Sequence, residues 1–307
     1  MKKINVALIG IGSIGVHHAR IFSEMEDVNL IGVVDPDASK AAETAKKYNC
    51  KAYSDYKEVL PLVDALSIAA PTSLHYEIGM SCLQQEKDLM IEKPITTTLN
   101  EAETLIQEAE KRNLVLQVGH LERFNSGVSL MSTKVNKPNF IESHRLSPFT
   151  GRSSDIDVTL DLMIHDIDII LSLVNSDIKE IRAAGSKILT NNIDIAHAWI
   201  EFENGCIAEA VTSRMADDKL RLLKVFQKDS FMSLNYQSQE LICYEKNGDQ
   251  VTKKVDKPVI KEPLKEQLLS FINCVKTRTE PVVSGHEGRE ALKVALKISA
   301  LVSDGLV

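Results

Sequence analysis

The sequence lacks several features that would place a chain of 307 residues in other classes of protein. Its five cysteines are scattered without a CxxC pair, which is typical of reduced, buried thiols in a cytoplasmic protein. No apolar run is long enough to span a bilayer, and the run after Lys2 and Lys3 lacks a signal-peptide cleavage site. The formal net charge of -7 argues against a nucleic-acid partner, because counterion release needs a basic surface.

The composition and the order of apolar runs predict two domains of different class. With 44% apolar and 26% charged residues, the chain is balanced enough to be soluble and too long for one ordinary core. Strands alternate with helical stretches as far as residue 121, which predicts an α/β Rossmann domain with a doubly wound parallel sheet. Over residues 122–307 strand-like runs follow one another, which predicts an α+β domain on a mostly antiparallel sheet.

These two sheets suggest different roles for the two domains. We predict that residues 1–121 bind NAD, and that residues 122–307 bind the substrate and form contacts between subunits. One broad face of the antiparallel sheet has no helix to cover it, and an uncovered face of this kind is typical of a subunit interface. We therefore expect a homodimer or homotetramer.

A dinucleotide-binding fingerprint opens the chain, in its required context of a strand before it and a helix after it. The first glycine allows a tight turn, the second lets the backbone approach a pyrophosphate, and the third lets the helix pack close to the sheet. The following helix directs free N–H groups and its positive dipole end at the phosphates. The loop residues predicted to bind the cofactor are Gly10, Gly12, Ser13, Ile14 and Gly15.

An acidic residue ends the second predicted strand and bears on the choice of cofactor. Asp35 follows Gly15 by 20 residues, the usual distance for a carboxylate that accepts hydrogen bonds from the adenosine ribose hydroxyls. The same charge would repel a 2′-phosphate, and the sequence Asp35-Pro36-Asp37 offers no arginine. We therefore predict NAD rather than NADP.

Three later strand ends carry unusual polar residues. In parallel sheets ligands bind beyond the carboxyl ends of the strands, and the segments 70–75, 92–94 and 119–124 follow three such ends. Each alone could be an ordinary polar loop, but all three would face one crevice. We predict cofactor contacts from Pro71, Thr72, His75, Glu92 and Lys93, and substrate contacts from His120 and Arg123.

A helical stretch over residues 157–171 is apolar nearly all round, which indicates burial, yet it carries Asp161, His165 and Asp168 on one face. Three interpretations are open for that face. Asp161 and His165 could form a structural pair, or bind a metal, although no HExxH motif or cysteine set supports a metal. Alternatively His165 is a general base that takes a proton from an alcohol while hydride leaves its carbon. A nicotinamide in the first domain favours the base.

Together these motifs resemble the Gfo/Idh/MocA oxidoreductase family over nearly the whole chain. The matching elements are the glycine loop, Glu92-Lys93-Pro94, Gly119-His120 with Arg123-Phe124, and Asp161 to His165. The resemblance implies that Lys93 contacts the nicotinamide ribose and the reacting hydroxyl, that Asp161 positions the sugar, and that His165 is the base. Many members have glycine where this chain has Met163, a difference that bears on the shape of the pocket.

A narrower resemblance is to the members that oxidise the 3-hydroxyl of UDP-N-acetylglucosamine. It rests on the segments 147–152, 160–168 and 195–236. A diphosphate substrate needs cations, and guanidinium groups bind phosphate in a bidentate manner. The alternatives are a free polyol, inositol or hexose dehydrogenase, or a sensor that binds NAD without turnover. The candidate cations are Arg123, Arg145, Arg152 and Arg214, each of which could instead be an ordinary surface arginine.

Overall fold

The chain folds into two compact units in the computed structural model, which describes residues 3–151 and 154–305. The first unit consists of Met1–Leu121 and Leu264–Arg289, and the second of Glu122–Pro263 and Glu290–Val307. The segment 264–289 therefore belongs to the first unit, whereas the sequence analysis placed all residues after 121 in the second. Its apolar side chains join the core of the first unit, a long-range packing choice that a linear pattern of strands does not reveal.

The first unit is built on a six-stranded sheet. Its strands are β1 (Ile4–Ile9), β2 (Val28–Val34), β3 (Lys51–Tyr53), β4 (Ala65–Ile68), β5 (Asp88–Glu92) and β6 (Leu116–Gly119). The strands pair in the order β3-β2-β1-β4-β5-β6, and every pairing is parallel. This order confirms the predicted doubly wound sheet. The direction of winding changes between β1 and β4, which is the place where such sheets bind ligands at their carboxyl edge.

Helices connect these strands. They are α1 (Gly15–Glu24), α2 (Ala38–Lys47), α3 (His75–Gln84) and α4 (Leu99–Lys111), with 3-10 turns at Tyr56–Glu58, Leu60–Leu62, Thr72–Leu74 and Leu121–Phe124. The spacing of Thr98 and Glu101 predicts a capping box at the start of α4. The structure has this box: the Glu101 amide donates to Thr98, and the Thr98 amide donates to Glu101. Two orphan donors are thereby satisfied, which fixes the start of the helix.

The second unit is built on an eight-stranded sheet. The connections before it contain α5 (Ser126–Ser132), and the strands are β7 (Pro138–Leu146), β8 (Ile178–Ser186), β9 (Ile195–Phe202), β10 (Ile207–Ser213), β11 (Leu220–Gln227), β12 (Ser230–Asn235), β13 (Leu241–Asn247) and β14 (Gln250–Asp256). They pair in the order β14-β13-β12-β11-β7-β10-β9-β8, and only β7 and β10 run parallel. The predicted, mostly antiparallel sheet is confirmed. Strand β14 has no buried face, so it carries no alternating pattern that the sequence analysis could detect.

A helical segment packs against one face of this sheet and carries the residues that the sequence analysis singled out. It starts as a π-helical turn over Thr159–Met163 and continues as α6 (Ile164–Val174). The predicted helix is therefore present, but its first turn is wider than an α-helical turn. Such turns are frequent at functional sites. Fully buried residues of α6, among them Ile167 and Ile170, share a core with Ile141, Ile200 and Leu223 of the sheet.

Two helices close the chain, α7 (Pro263–Thr277) and α8 (Gly285–Gly305). The spacing of Leu264, Leu268, Leu269, Ile272 and Val275 predicts one buried side of α7. Four of them are buried, but Leu269 is 38% exposed, and Phe271 is also buried. None of the helices in residues 3–151 and 154–305 is both long enough and apolar enough to cross a membrane. All five cysteines are free thiols, and four of them are buried.

The assignment of α7 to the first unit makes a prediction about stability. Leu268→Ala should lower the free energy of unfolding by about 2–5 kcal/mol, because it leaves a cavity in the core. The neighbouring Leu269→Ala removes the same atoms from an exposed position and should change it by less than about 1 kcal/mol. Urea unfolding measures both values. Equal effects of the two variants would show that α7 does not pack as described.

Candidate active site

The glycine loop has the backbone geometry that each glycine was predicted to provide. Gly10 has φ of 93°, and a Cβ atom there would lie 2.6 Å from the carbonyl group of Ala69. A Cβ atom on Gly15 would meet the carbonyl oxygen of Gly10. Gly12 is different, because no atom of the described chain lies within 4 Å of its Cβ position. The fold therefore requires Gly10 and Gly15, whereas Gly12 leaves open space for close approach of a ligand.

Asp35 holds this loop from the second strand. The Ile11 amide donates to its Oδ2 atom at 2.8 Å, and the Asp37 amide donates to its Oδ1 atom at 2.9 Å. Each carboxylate oxygen can accept further hydrogen bonds, so Asp35 can still receive ribose hydroxyls. Asp37 caps α2 instead, and hydrogen bonds from Ser39 and Lys40 lower its pKa. Only the first acid of Asp35-Pro36-Asp37 therefore suits the cofactor role.

The segment after β4 is held by a buried histidine. Pro71 and Thr72 begin a 3-10 turn that leads into α3 at His75. The His75 ring is 1% exposed, with Nε2 at 2.9 Å from the Ala70 carbonyl oxygen and Nδ1 at 2.9 Å from the Pro94 carbonyl oxygen. Burial lowers the pKa of His75 despite these carbonyls. The residue therefore fastens the loops after β4 and β5 to each other.

Glu92, at the end of β5, contacts a buried residue that the sequence analysis did not find, His18 of α1. Nε2 of His18 lies 3.3 Å from Oε1 of Glu92, and Nδ1 of His18 lies 2.8 Å from Oγ of Ser67. A Cβ atom on Gly119 would lie 2.7 Å from the Glu92 carboxyl group. Glu92 thus faces into the fold beside Gly119, and Lys93 follows it as a half-buried side chain. His120, the next predicted site residue, is 1% exposed.

In the second unit, the helical segment 159–174 presents two ionisable side chains that are only partly buried. Asp161 lies in the π-helical turn and His165 in the first turn of α6, whereas Asp166 and Asp168 are buried. The described residues contain no group of three or more His, Cys, Asp or Glu side chains that could hold a metal ion. Asp161 and His165 are thus more accessible than the two other ionisable residues of the segment, Asp166 and Asp168.

Arg145, a predicted phosphate ligand, is instead part of a buried ion-pair network. Its Nε and Nη2 atoms donate to the two oxygens of Asp166 at 2.5 and 3.2 Å, and its Nη1 atom donates to Oε1 of Glu122 at 3.2 Å. Its guanidinium also lies 5.1 Å from the Tyr236 ring centroid. Burial disfavours the charge, but Asp166 and Glu122 outweigh it and raise the pKa of Arg145. At 2% exposure Arg145 cannot reach a substrate.

Arg214 also has a structural role rather than the predicted one. It is 5% exposed, its Nη2 atom donates to the Ile156 carbonyl oxygen, and its Nε atom lies 3.8 Å from Oδ1 of Asp194. Asp194 accepts amide hydrogen bonds from the loop residues Ile188, Leu189 and Thr190. Burial alone would raise the pKa of Asp194, but these donors outweigh it and lower the value to about 2. Arg214 and Asp194 thus fasten neighbouring loops.

Of the remaining two predicted arginines, the structure describes Arg123 but not Arg152. Arg123 lies in the 3-10 turn after β6, its side chain is 16% exposed, and its Nε atom is 3.6 Å from Oδ2 of Asp168. It is thus the most accessible of the described candidates, although an acid already faces it. Arg152 lies outside the described residues. A sequence pattern could not separate these roles, because a buried arginine and a surface arginine look alike until the carboxylates around them are known.

Comparison with known proteins shows to which protein family the chain belongs. Residues 4–120 match the model of an oxidoreductase family with an NAD-binding Rossmann fold, and residues 136–228 match the model of the GFO/IDH/MocA C-terminal domain. The protein is therefore an oxidoreductase, and the chain belongs to the Gfo/Idh/MocA family. Among similar proteins, UDP-N-acetylglucosamine 3-dehydrogenase from Acidithiobacillus ferrooxidans is 32% identical over 98% of each chain.

Further comparisons extend the similarity to the whole fold. A solved structure of that Acidithiobacillus ferrooxidans enzyme covers 100% of both chains with a TM-score of 0.95. Myo-inositol 2-dehydrogenase from Thermotoga maritima is 25% identical, over 94% of this chain and 93% of the relative. The family is thus represented by relatives named for a nucleotide sugar and for an inositol.

The network around Arg145 makes a prediction about stability. Asp166→Asn should lower the free energy of unfolding by about 3–5 kcal/mol, because it leaves the Arg145 charge buried with only Glu122 to balance it. The matched control is Glu201→Gln, which breaks an ion pair with the exposed Arg182 and should cost at most about 1 kcal/mol. Chemical denaturation compares them. A loss as small as the control's would mean that the ion pair does not stabilise the fold.

Proposed function

We propose that the protein is an NAD-dependent dehydrogenase that oxidises a secondary hydroxyl of a sugar, and that its substrate is the 3-hydroxyl of UDP-N-acetylglucosamine. The observation that carries this proposal is the pair Asp161 and His165, which are partly exposed ionisable groups on a helical segment whose other ionisable residues, Asp166 and Asp168, are buried. Keeping such groups at the edge of an apolar core is costly unless they serve a site. The similarity to a UDP-N-acetylglucosamine 3-dehydrogenase along the whole chain supports the choice of substrate.

The residues of the first unit fit NAD. Gly12 leaves open space at the start of α1, where backbone N–H groups can receive a pyrophosphate. Asp35 can accept hydrogen bonds from ribose hydroxyls, and its charge disfavours the extra phosphate of NADP. Bound NAD would supply the hydride acceptor of the reaction. We assign the remaining cofactor contacts to Ser13, Ile14 and the loops that contain Pro71, Thr72 and Lys93.

The catalytic roles follow from the chemistry of each side chain. His165 takes the proton of the reacting hydroxyl, because imidazole is the side chain best suited to act as a base near neutral pH. Asp161 accepts a hydrogen bond from the sugar and so orients the hydroxyl. Lys93 stabilises the negative charge that develops on the oxygen. In the proposed reaction the C–H bond breaks as hydride leaves, and the C–O bond becomes a carbonyl.

Glu92 and His75 have supporting roles in this proposal. Glu92 faces His18 inside the fold, so it fixes the backbone that presents Lys93. His75 fastens the loop after β4 to the Pro94 carbonyl and so shapes the cofactor-binding edge. We therefore regard both as residues that position the cofactor site. His120 and Arg123 are proposed substrate contacts.

The second candidate within the same chemistry is a free inositol or polyol, which the similarity to myo-inositol 2-dehydrogenase supports. The assay that separates the candidates follows NADH formation by the purified protein with NAD and UDP-N-acetylglucosamine, in the presence of a carbonyl trap. Free N-acetylglucosamine, glucose and myo-inositol are tested in parallel, and NADP replaces NAD in a second series. We expect turnover with the UDP-sugar and NAD. Turnover with free polyols alone would reject the nucleotide-sugar proposal, and tight NAD binding without any turnover would favour a sensor.

Replacement of the proposed base tests the mechanism. His165→Ala should lower kcat by about a hundredfold to ten-thousandfold, since a positioned general base contributes that much. The Kd for NAD, measured by fluorescence titration, should stay within about twofold of the unaltered protein. His197→Ala alters an exposed histidine on β9 and serves as the control. Equal losses of NAD binding and turnover in His165→Ala would contradict the assignment of His165 as base.

We also propose that the open face of the second sheet joins two copies of the chain. Five aromatic side chains form a row on that face, Trp199, Phe140, Phe226, Phe231 and Tyr244, with neighbouring ring centroids 4.7 to 5.9 Å apart. All five are only partly buried, although aromatic side chains contribute most when they are fully removed from water. The row runs across strands from β9 to β13, and a two-fold axis through it would cover the same residues on both copies.

Disruption of the aromatic row tests this interface. Phe226→Glu places a charge near the centre of the row and should convert the oligomer into monomers, because two such charges would face each other across a two-fold axis. Leu62→Glu, at an exposed position of the first unit, is the control. Sedimentation velocity at micromolar concentration measures the mass. A monomeric unaltered protein, or an oligomer that survives Phe226→Glu, would reject the interface.

A further inference from the structure

Arg221 of the second unit shares its acidic partner, Glu122, with a neighbouring arginine. Arg221 lies on β11 directly opposite Arg145 on β7, so two guanidinium groups face the same side of the sheet. Arg145 takes both oxygens of Asp166, and it also receives the nearer contact to Glu122, at 3.2 Å against 3.6 Å for Arg221. Among the described residues, Arg221 therefore shares the Glu122 carboxylate with Arg145, and it donates no hydrogen bond to an acid.

The exposure of Arg221 distinguishes it from the neighbouring arginine. Its side chain is 32% exposed, whereas that of Arg145 is 2% exposed. Burial, and after it the charge of Arg145, lowers the pKa of Arg221, whereas Glu122, Asp166 and Asp161 favour its protonated form. A guanidinium in this state can donate several further hydrogen bonds, in a planar arrangement that suits phosphate oxygens.

Lys219 adds a second positive charge at the start of the same strand. It is exposed and lies immediately before β11, two residues from Arg221. The charge of Arg221 is the main cause of the lowered pKa of Lys219. Each cation therefore makes the other less favourable, and an anion bound to both would relieve this repulsion.

The position of this pair relates it to the proposed sugar site. Arg221 pairs across the sheet with Arg145, whose partner Asp166 follows Asp161 by five residues on the same helical segment. The charge of Asp161 accordingly favours the protonated form of Arg221. Asp161 is also the residue that we propose to orient the reacting sugar. In a nucleotide sugar the diphosphate is bonded to the sugar itself, so the cations that bind it must lie beside the sugar site. Arg221 meets that requirement, whereas Arg145 and Arg214 are buried in structural ion pairs.

We propose that Arg221, assisted by Lys219, binds the diphosphate group of the substrate beside Asp161. This inference rests on the proposed function, because it assigns the charged part of the same substrate. Arg221 would donate hydrogen bonds to phosphate oxygens, and Lys219 would add charge from the solvent side. Glu122 holds the guanidinium from behind, at 3.6 Å, and leaves its exposed edge for the ligand.

The test compares Arg221→Gln with Arg182→Gln, an exposed arginine of the same unit. Arg221→Gln should raise KM for UDP-N-acetylglucosamine by about tenfold to a hundredfold, since charge-assisted hydrogen bonds to phosphate are strong. The KM for NAD should not change, and Arg221→Lys should give an intermediate value because it keeps the charge and loses the planar geometry. An unchanged KM for the sugar nucleotide in Arg221→Gln would overturn the proposal.

Lys219→Gln is a second, independent test of the anion site, because the exposed Lys219 side chain does not contribute to the core. We expect it to raise the same KM by roughly twofold to fivefold, as is usual for one screened charge. The control is Lys228→Gln, an exposed lysine at the other end of the hairpin. Equal behaviour of the two lysine variants would remove Lys219 from the site.

Direct binding separates failure of this site from failure of the proposed function. Calorimetry with inorganic pyrophosphate is performed on protein saturated with NAD, so that the glycine loop is already occupied. If the protein oxidises no nucleotide sugar, but binds pyrophosphate more tightly than Arg221→Gln does, the anion site stands and the substrate proposal fails. If the protein and Arg221→Gln bind pyrophosphate equally, or neither binds it, the anion site is rejected.

Discussion

The ion pair between Arg145 and Asp166 is the interaction on which the second unit depends. It joins the end of β7 to the first turn of α6, and Glu122 extends it to the 3-10 turn after β6. Three charges in an apolar interior are tolerable only when each is matched by another in good geometry. The segment that carries Asp161 and His165 is thus fixed in orientation by the residue next to His165. The base that we propose at His165 would benefit from such support, since small displacements from the reacting group cost rate.

The first unit has a corresponding contact, between a carboxylate and a histidine. Glu92 at the end of β5 lies beside His18 of α1, and His18 also contacts Ser67 of β4. Three elements that converge on the cofactor-binding edge are thereby joined through one imidazole. Gly119 leaves the room that the Glu92 carboxyl group occupies, so the small residue on β6 and the acid on β5 form one packing unit. The residue that follows Glu92 is Lys93, whose backbone is held by this unit.

The sequence was sufficient for the fold where local patterns coincide with burial. Alternating strands and helices gave the parallel sheet, and the capping box at Thr98 gave the start of α4. The sequence was not sufficient where the contacting residues are far apart in the chain. Helix α7 belongs to the first unit because Phe271 and Leu268 fit its core, a fact of tertiary packing. Arg145 and Arg214 matched the expected type of phosphate ligand, but the carboxylates that bury them lie 21 and 20 residues away in sequence.

The same distribution of carboxylates explains how an acidic chain can offer a local site for an anion. The net charge of -7 is a sum over the whole chain, and it does not determine the potential at one position. In the second unit Asp166 is committed to Arg145, and Glu122 is shared between Arg145 and Arg221. Arg145 is the buried partner and makes the shorter contacts, so Arg221 keeps a partly exposed guanidinium. The ion pair that stabilises α6 thus also leaves Arg221 accessible to the anion that we propose.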